Sequence, residues 1–183
     1  QRIRSLVIWG RRSANQALLQ KAVQEGEAAV DMLPSDAPKV TRHHMTQCLL
    51  DSIGSLGLVQ GDVACFERVV NLAHLMLESL DPRIELTQWL EANSQISHAY
   101  RDWADYVPGT RELELSIEYQ RRSLEVFTRS ELPAVFVEVR RNIAHSLVEV
   151  GRRSNGTGSL SEAVAICKEE LEHLSRDENS LLW

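Results

Sequence analysis

The sequence predicts an all-α protein in which antiparallel helix pairs stack one on the next as an α-solenoid. Two observations predict it. Apolar residues recur at helical spacing along the chain, with no useful stretch alternating at period two. The chain also matches itself at a fixed offset, the signature of a repeat architecture. Gly109 and Thr110 open GTRELELSIEYQRRSLEVFTR, and 47 residues later Gly156 and Thr157 open GTGSLSEAVAICKEELEHLSR. Leu113 then matches Leu160, Ile117 matches Val164, and Leu124 matches Leu171. At three periods SLVIWGRRS (5–13) aligns with SLVEVGRRS (146–154), seven of nine residues identical.

Each repeat reads as two helices. The first carries Val139, Ile143, Leu147 and Val150 on one stripe, with counterparts Met45, Leu49, Ile53 and Leu56, then Ala92, Ile96, Tyr100 and Trp103. The second carries Leu160, Val164, Cys167, Leu171 and Leu174, and one set earlier Phe66, Val70, Ala73, Leu77 and Leu80. Pro38, Pro82 and Pro133 stand near the start of successive first helices, where a missing N–H costs little. Ser159 and Glu162 suggest a capping box at the start of the last second helix. Gly57 and Gly151 suit left-handed C-caps of the first helices. The expected units are 1–37, 38–81, 82–130 and 131–178, with a further helix beginning at 179–183. A lone pair of this size cannot bury its stripe, so the pairs must stack. Both ends then fall inside a repeat, which implies a longer parent protein and predicts end-to-end self-association through Leu6 and Trp9 at one end and Leu181 to Trp183 at the other.

Composition excludes several classes. The chain has 183 residues and a formal net charge of −6, which argues against general nucleic-acid binding. Cys48, Cys65 and Cys167 are far apart and odd in number, so neither a disulfide scaffold nor a cysteine-rich zinc site is expected. Free cysteines suit a reducing, intracellular (cytoplasmic) compartment. No apolar run approaches the roughly 18 residues of a membrane span.

The order Pro133, Asn142-Ile-Ala-His-Ser-Leu147, Gly151, Ala163 and Leu171 resembles the tetratricopeptide repeat (TPR). The resemblance covers essentially all of 1–183, strongest in 105–183 and weak in 14–60, although the period is 47 where the family has 34, and Ala144 and Ser97 stand where the family has a small glycine. It implies a right-handed superhelix that binds a protein or peptide on the concave surface of the first helices, here called A helices. Carried over position by position, the groove-facing residues are Glu138, Arg141, His145 and Glu149; before them Glu91, Ser94, His98 and Asp102; and before those His44, Gln47 and Asp51. Arg4, Arg101 and Arg141 supply the cations, and arginine holds carboxylates and phosphates in a fork geometry. The Lys, Asn and Arg set of the family's carboxylate clamp is missing, so that ligand class is not expected.

Chemistry-bearing alternatives are weaker. His98 and His145 share a slot of neighbouring repeats, but they lie on separate helices with no third ligand in phase. His43 and His44 are adjacent and point apart. Arg11-Arg12 and Arg152-Arg153 each follow a glycine, and are read first as C-terminal cations complementing the helix dipole. No nucleophile–base cluster, phosphate loop or metal motif occurs, so neither an enzyme nor a cofactor is expected. The reading is a protein-interaction scaffold, or alternatively an oligomerisation segment of a larger signalling protein that works through its stacking surfaces.

Overall fold

The computed structural model describes residues 1–176, without the side chains of 174–176. The expected further helix at 179–183, with Leu181 to Trp183, and the side chain of Leu174 therefore lie outside the described residues. Among the described residues every element is helical, and consecutive helices pack on one another from α1 to α5 and from α6 to α8. They form two compact units.

The first unit, 1–106, holds α1 (Arg2–Arg12), α2 (Gln16–Asp31), α3 (Lys39–Gln60), α4 (Val63–Glu78) and α5 (Leu86–Ala104). The second, from 107 on, holds α6 (Arg111–Leu124), α7 (Pro133–Ser154) and α8 (Thr157–Arg176). The long helices α3, α5 and α7 begin 47 residues apart, at Lys39, Leu86 and Pro133. We call α1, α3, α5 and α7 the A helices and α2, α4, α6 and α8 the B helices.

In the first unit the core runs along the apolar stripes. Phe66, Leu19, Leu50, Ile53 and Ile96 are fully enclosed. Each such side chain contributes roughly 2 kcal/mol of burial free energy. Asn15 accepts from Leu18 N at 3.1 Å and Asp62 accepts from Ala64 N at 3.0 Å, which caps α2 and α4 at equivalent positions. The A helices of this unit also meet each other, α1 with α3 and α3 with α5. In the second unit α7 lies against both α6 and α8, burying Val139, Ile143, Leu147 and Val150.

Glycine does a different job from the one expected at the A helix ends. Gly57 and Gly151 are buried inside their helices, which continue for about one more turn. The left-handed caps are Gly61 (φ 66°) and Asn155 (φ 51°). Gly57 lies where a Cβ would come within 2.8 Å of the Cβ of Cys65, and Gly151 where one would come within 2.6 Å of Leu160 Cγ. Gly10 meets Leu19 in the same way, at 2.7 Å, and buried Ala104 fills the same slot of α5. A glycine at this slot thus lets α1, α3 and α7 each cross closely over the B helix that follows. The arginine pairs that follow Gly10 and Gly151 sit within the last turns of α1 and α7, where cations complement the helix dipole. The capping box expected at Ser159 is likewise absent, because α8 already begins at Thr157.

Candidate functional site

The predicted A-helix residues divide between the two units. In the first, α1 contributes Arg4, α3 contributes His44, Gln47 and Asp51, and α5 contributes Glu91, Ser94, His98, Arg101 and Asp102. Side-chain bonds between helices join part of this set. His43 Nε2 lies 2.8 Å from Glu91 Oε2, and Gln95 Nε2 donates to Asp51 Oδ1 at 2.8 Å. Lys39 pairs with Glu85 at 3.3 Å beside them. These contacts tie α3 to α5, so Asp51 and Glu91 serve the packing of the A helices as well as their polar surface.

The electrostatics extend the set to α1. Asp51 is an exposed residue, yet crowding around its carboxyl raises its pKa. The Gln95 hydrogen bond and the fields of Arg4 and Arg11 oppose that rise, and Glu91 adds to it. Burial also raises Asp102, against Arg101 and Arg11 and together with Asp105. Arg11 therefore acts on both carboxyls, and Arg101 Nε stands 3.9 Å from Asp102. His44 is exposed, with Nε2 4.0 Å from Cys48 Sγ. Gln47 is half-buried and its Oε1 has no hydrogen-bond partner. His98 is half-buried on α5.

Because both carboxyls hold protons more tightly in the folded chain than in the unfolded one, their contribution favours folding at acid pH and is lost as pH rises above the usual 3.8. The double variant Asp51→Asn, Asp102→Asn is expected to remove that decline. Urea titrations at pH 4 and pH 7 check this: the parent should lose stability between them more steeply than the variant does.

In the second unit Glu138, Arg141, His145 and Glu149 all lie on α7, the first three exposed and Glu149 half-buried against Arg152 at 2.9 Å. Arg141, His145 and Glu149 do not border a wholly polar face. They rim a groove of about 540 Å³ between α7 and α8, floored by Ala144, Val148, Ile166 and Leu171. The groove ends at Glu170, which accepts from Arg129 at 2.5 Å and faces Arg140 Nε at 2.6 Å. Both guanidiniums lie over the Phe136 ring, 4.8 and 5.9 Å from its centroid.

Sequence reasoning did not place His43, Gln95 or Arg11 on this surface. For His43 a signal existed: it occupies the slot that Leu90 and Val137 fill in the following repeats, a polar side chain where the pattern asks for an apolar one. Gln95 and Arg11 became visible only once α1, α3 and α5 were set side by side. Among the described residues no group of three or more His, Cys, Asp or Glu side chains could hold a metal ion, and no helix is long and apolar enough to cross a membrane.

No protein-family profile matches the chain, and no curated protein matches it in sequence. A solved structure described as "DHF58 filament" is similar over 95% of this chain and 90% of that one, with a TM-score of 0.49 and 17% identity.

Proposed function

We propose that the chain is a tetratricopeptide-like α-solenoid acting as an intracellular protein-interaction scaffold, not as an enzyme, and that it docks a partner peptide or helix along the A-helix surface. The observation that carries this reading is the polar field of α1, α3 and α5. Those three helices meet in series, and Arg4, Arg11, Asp51, Gln95, Glu91 and Asp102 act on one another across them. A surface with both signs of charge suits an extended segment with alternating charges, held by several fork-geometry contacts of modest strength.

A displayed random-peptide library selected on the immobilised chain tests the proposal, with affinities then measured by calorimetry. The variant Arg11→Glu, Arg101→Glu should weaken the selected peptides about tenfold or more with helicity unchanged by circular dichroism. Selection of no peptide, or of peptides indifferent to both substitutions, would overturn docking on this surface.

A further inference from the structure

Outside the A-helix surface, the sharpest departures from the repeat pattern fall on α3 and α4, in the interior of the array. The α4 slot of Leu75 is at solvent in every repeat, and the other B helices carry Ala28, Arg122 and Glu169 there. Leu75 is nevertheless a leucine, 63% exposed. One turn back, half-buried Leu72 stands where α2 has Glu25. The A helix shows the opposite exchange. Three slots that hold Leu86, Trp89 and Leu90 in α5, and Pro133, Phe136 and Val137 in α7, hold Lys39, Arg42 and His43 in α3. In α7 the middle slot packs on apolar surface, the Phe136 ring standing edge-on to Phe127 at 6.2 Å. Arg42 instead reaches the chain before α3, donating from Nη2 to Pro34 O at 2.8 Å.

The two exchanges meet in one groove. A hollow of about 460 Å³ brings Val30 of α2, Leu49 of α3, and Leu72, Leu75 and Met76 of α4 together with the three basic side chains. Leu72 and Leu75 also border a second hollow of about 290 Å³, which continues along α4 past Arg68 to Ala64. Arg68 reaches across to Glu27 of α2. Together the hollows follow most of α4, which has 16 residues and is about 24 Å long.

The basic side chains are unequally balanced. Lys39 pairs with Glu85, and His43 with Glu91. Arg42 is half-buried, and among the described residues its partner is a neutral carbonyl and not a carboxylate. A guanidinium held beside apolar surface without a counter-charge is matched by a carboxylate brought from outside. The conformation of the occupant follows from the backbone of the groove. Its walls are helices whose N–H and C=O groups are bonded along their own axes, so an extended segment would find no backbone partners there. A helix satisfies its own backbone and presents a stripe of side chains.

We infer that this groove docks an amphipathic helix of another protein, about four turns long, with leucine-like side chains against Leu72 and Leu75 and an acidic residue on Arg42. The inference does not rest on docking at the A-helix surface, because Arg42, Leu72 and Leu75 take no part in that surface.

The test is a displayed library of peptides about 16 residues long, selected on the whole chain, with leucine fixed at i, i+3, i+7 and i+10 and the other positions random. Enriched peptides should carry Asp or Glu clustered at one end. Leu75→Glu and Arg42→Glu should each weaken their binding roughly thirtyfold, as loss of a central anchor implies. The variant Arg11→Glu, Arg101→Glu should bind them as the parent does, which separates this groove from the A-helix surface. Replacing the clustered acids by Lys should restore binding to Arg42→Glu. No enrichment, or peptides indifferent to Leu75→Glu, overturns the inference. So does a selected peptide that binds equally well with proline at its centre, since it is then not a helix. Growth of the chain's own mass with concentration, abolished by Leu75→Glu, would make a second copy the occupant and overturn it as well. If Arg42→Glu lowers helicity by circular dichroism, Arg42→Gln takes its place, keeping a donor for Pro34 O while removing the charge.

Discussion

Gly57→Val is expected to cost about 3 kcal/mol, while Gly54→Ala, three residues earlier in the same helix, raises stability by about 0.5–1 kcal/mol. The opposite signs follow from what each Cβ would meet. At Gly57 it would lie 2.8 Å from the Cβ of Cys65 and 3.2 Å from the ring of Phe66. The Cys65 Cβ is bonded directly to the α4 backbone and Phe66 is fully enclosed, so neither can give way without moving α4. At Gly54 the nearest atom would be Val69 Cγ2 at 3.9 Å, an ordinary van der Waals contact. There the main effect is lower backbone entropy in the unfolded chain. Urea titration of the three proteins measures both. Equal behaviour of the two positions would mean that α3 and α4 are not in close contact at Gly57.

The second large effect is expected at Glu170. Its carboxylate receives Arg129 at 2.5 Å and Arg140 at 2.6 Å and is largely buried. Glu170→Gln keeps the shape and removes the charge, leaving two guanidiniums together over Phe136. The loss should be about 2–3 kcal/mol, somewhat below that of a fully buried broken pair, because Arg129 is partly exposed and Glu169 still reaches Arg140. Glu169→Gln should cost no more than about 0.5–1 kcal/mol, since that carboxylate is mostly in water. Hydrogen exchange localises the effect: in Glu170→Gln the α8 amides should lose protection while those of α3 and α4 keep theirs. A Glu170→Gln protein as stable as its parent would show that the stacked guanidiniums do not need this carboxylate.

How far the fold could be read from the sequence depended on the range of the interactions. The stripes Val139, Ile143, Leu147 and Val150, or Phe66, Val70 and Ala73, are set within single helices, and helical periodicity exposes them directly. The A-helix ends were misplaced because glycine serves two purposes that composition cannot separate. At Gly57 and Gly151 it makes room for a neighbouring helix, while the left-handed turn falls four residues later, at Gly61 and Asn155. The candidate site shows the same division. Polar residues opposite an apolar stripe, such as Arg141 and His145, could be named from α7 alone. The pairing of His43 with Glu91 and of Gln95 with Asp51 depends on how α3 and α5 slide past one another, which no local pattern encodes.

The small residues Gly10, Gly57 and Gly151, with Ala104 in the same slot of α5, bear on how such a chain can change length. Each of the three glycines marks the point where an A helix crosses the B helix after it and leaves no room for a side chain. A duplication or loss of one whole 47-residue unit returns the next small residue to its crossing point, and every other contact in the series keeps its partner. An insertion of one to three residues within an A helix would instead rotate a bulky neighbour, such as Leu56 or Leu58, toward the crossing. Growth in whole units is then nearly neutral and growth in fractions is penalised, so the length of the array is quantised by the spacing of its smallest side chains.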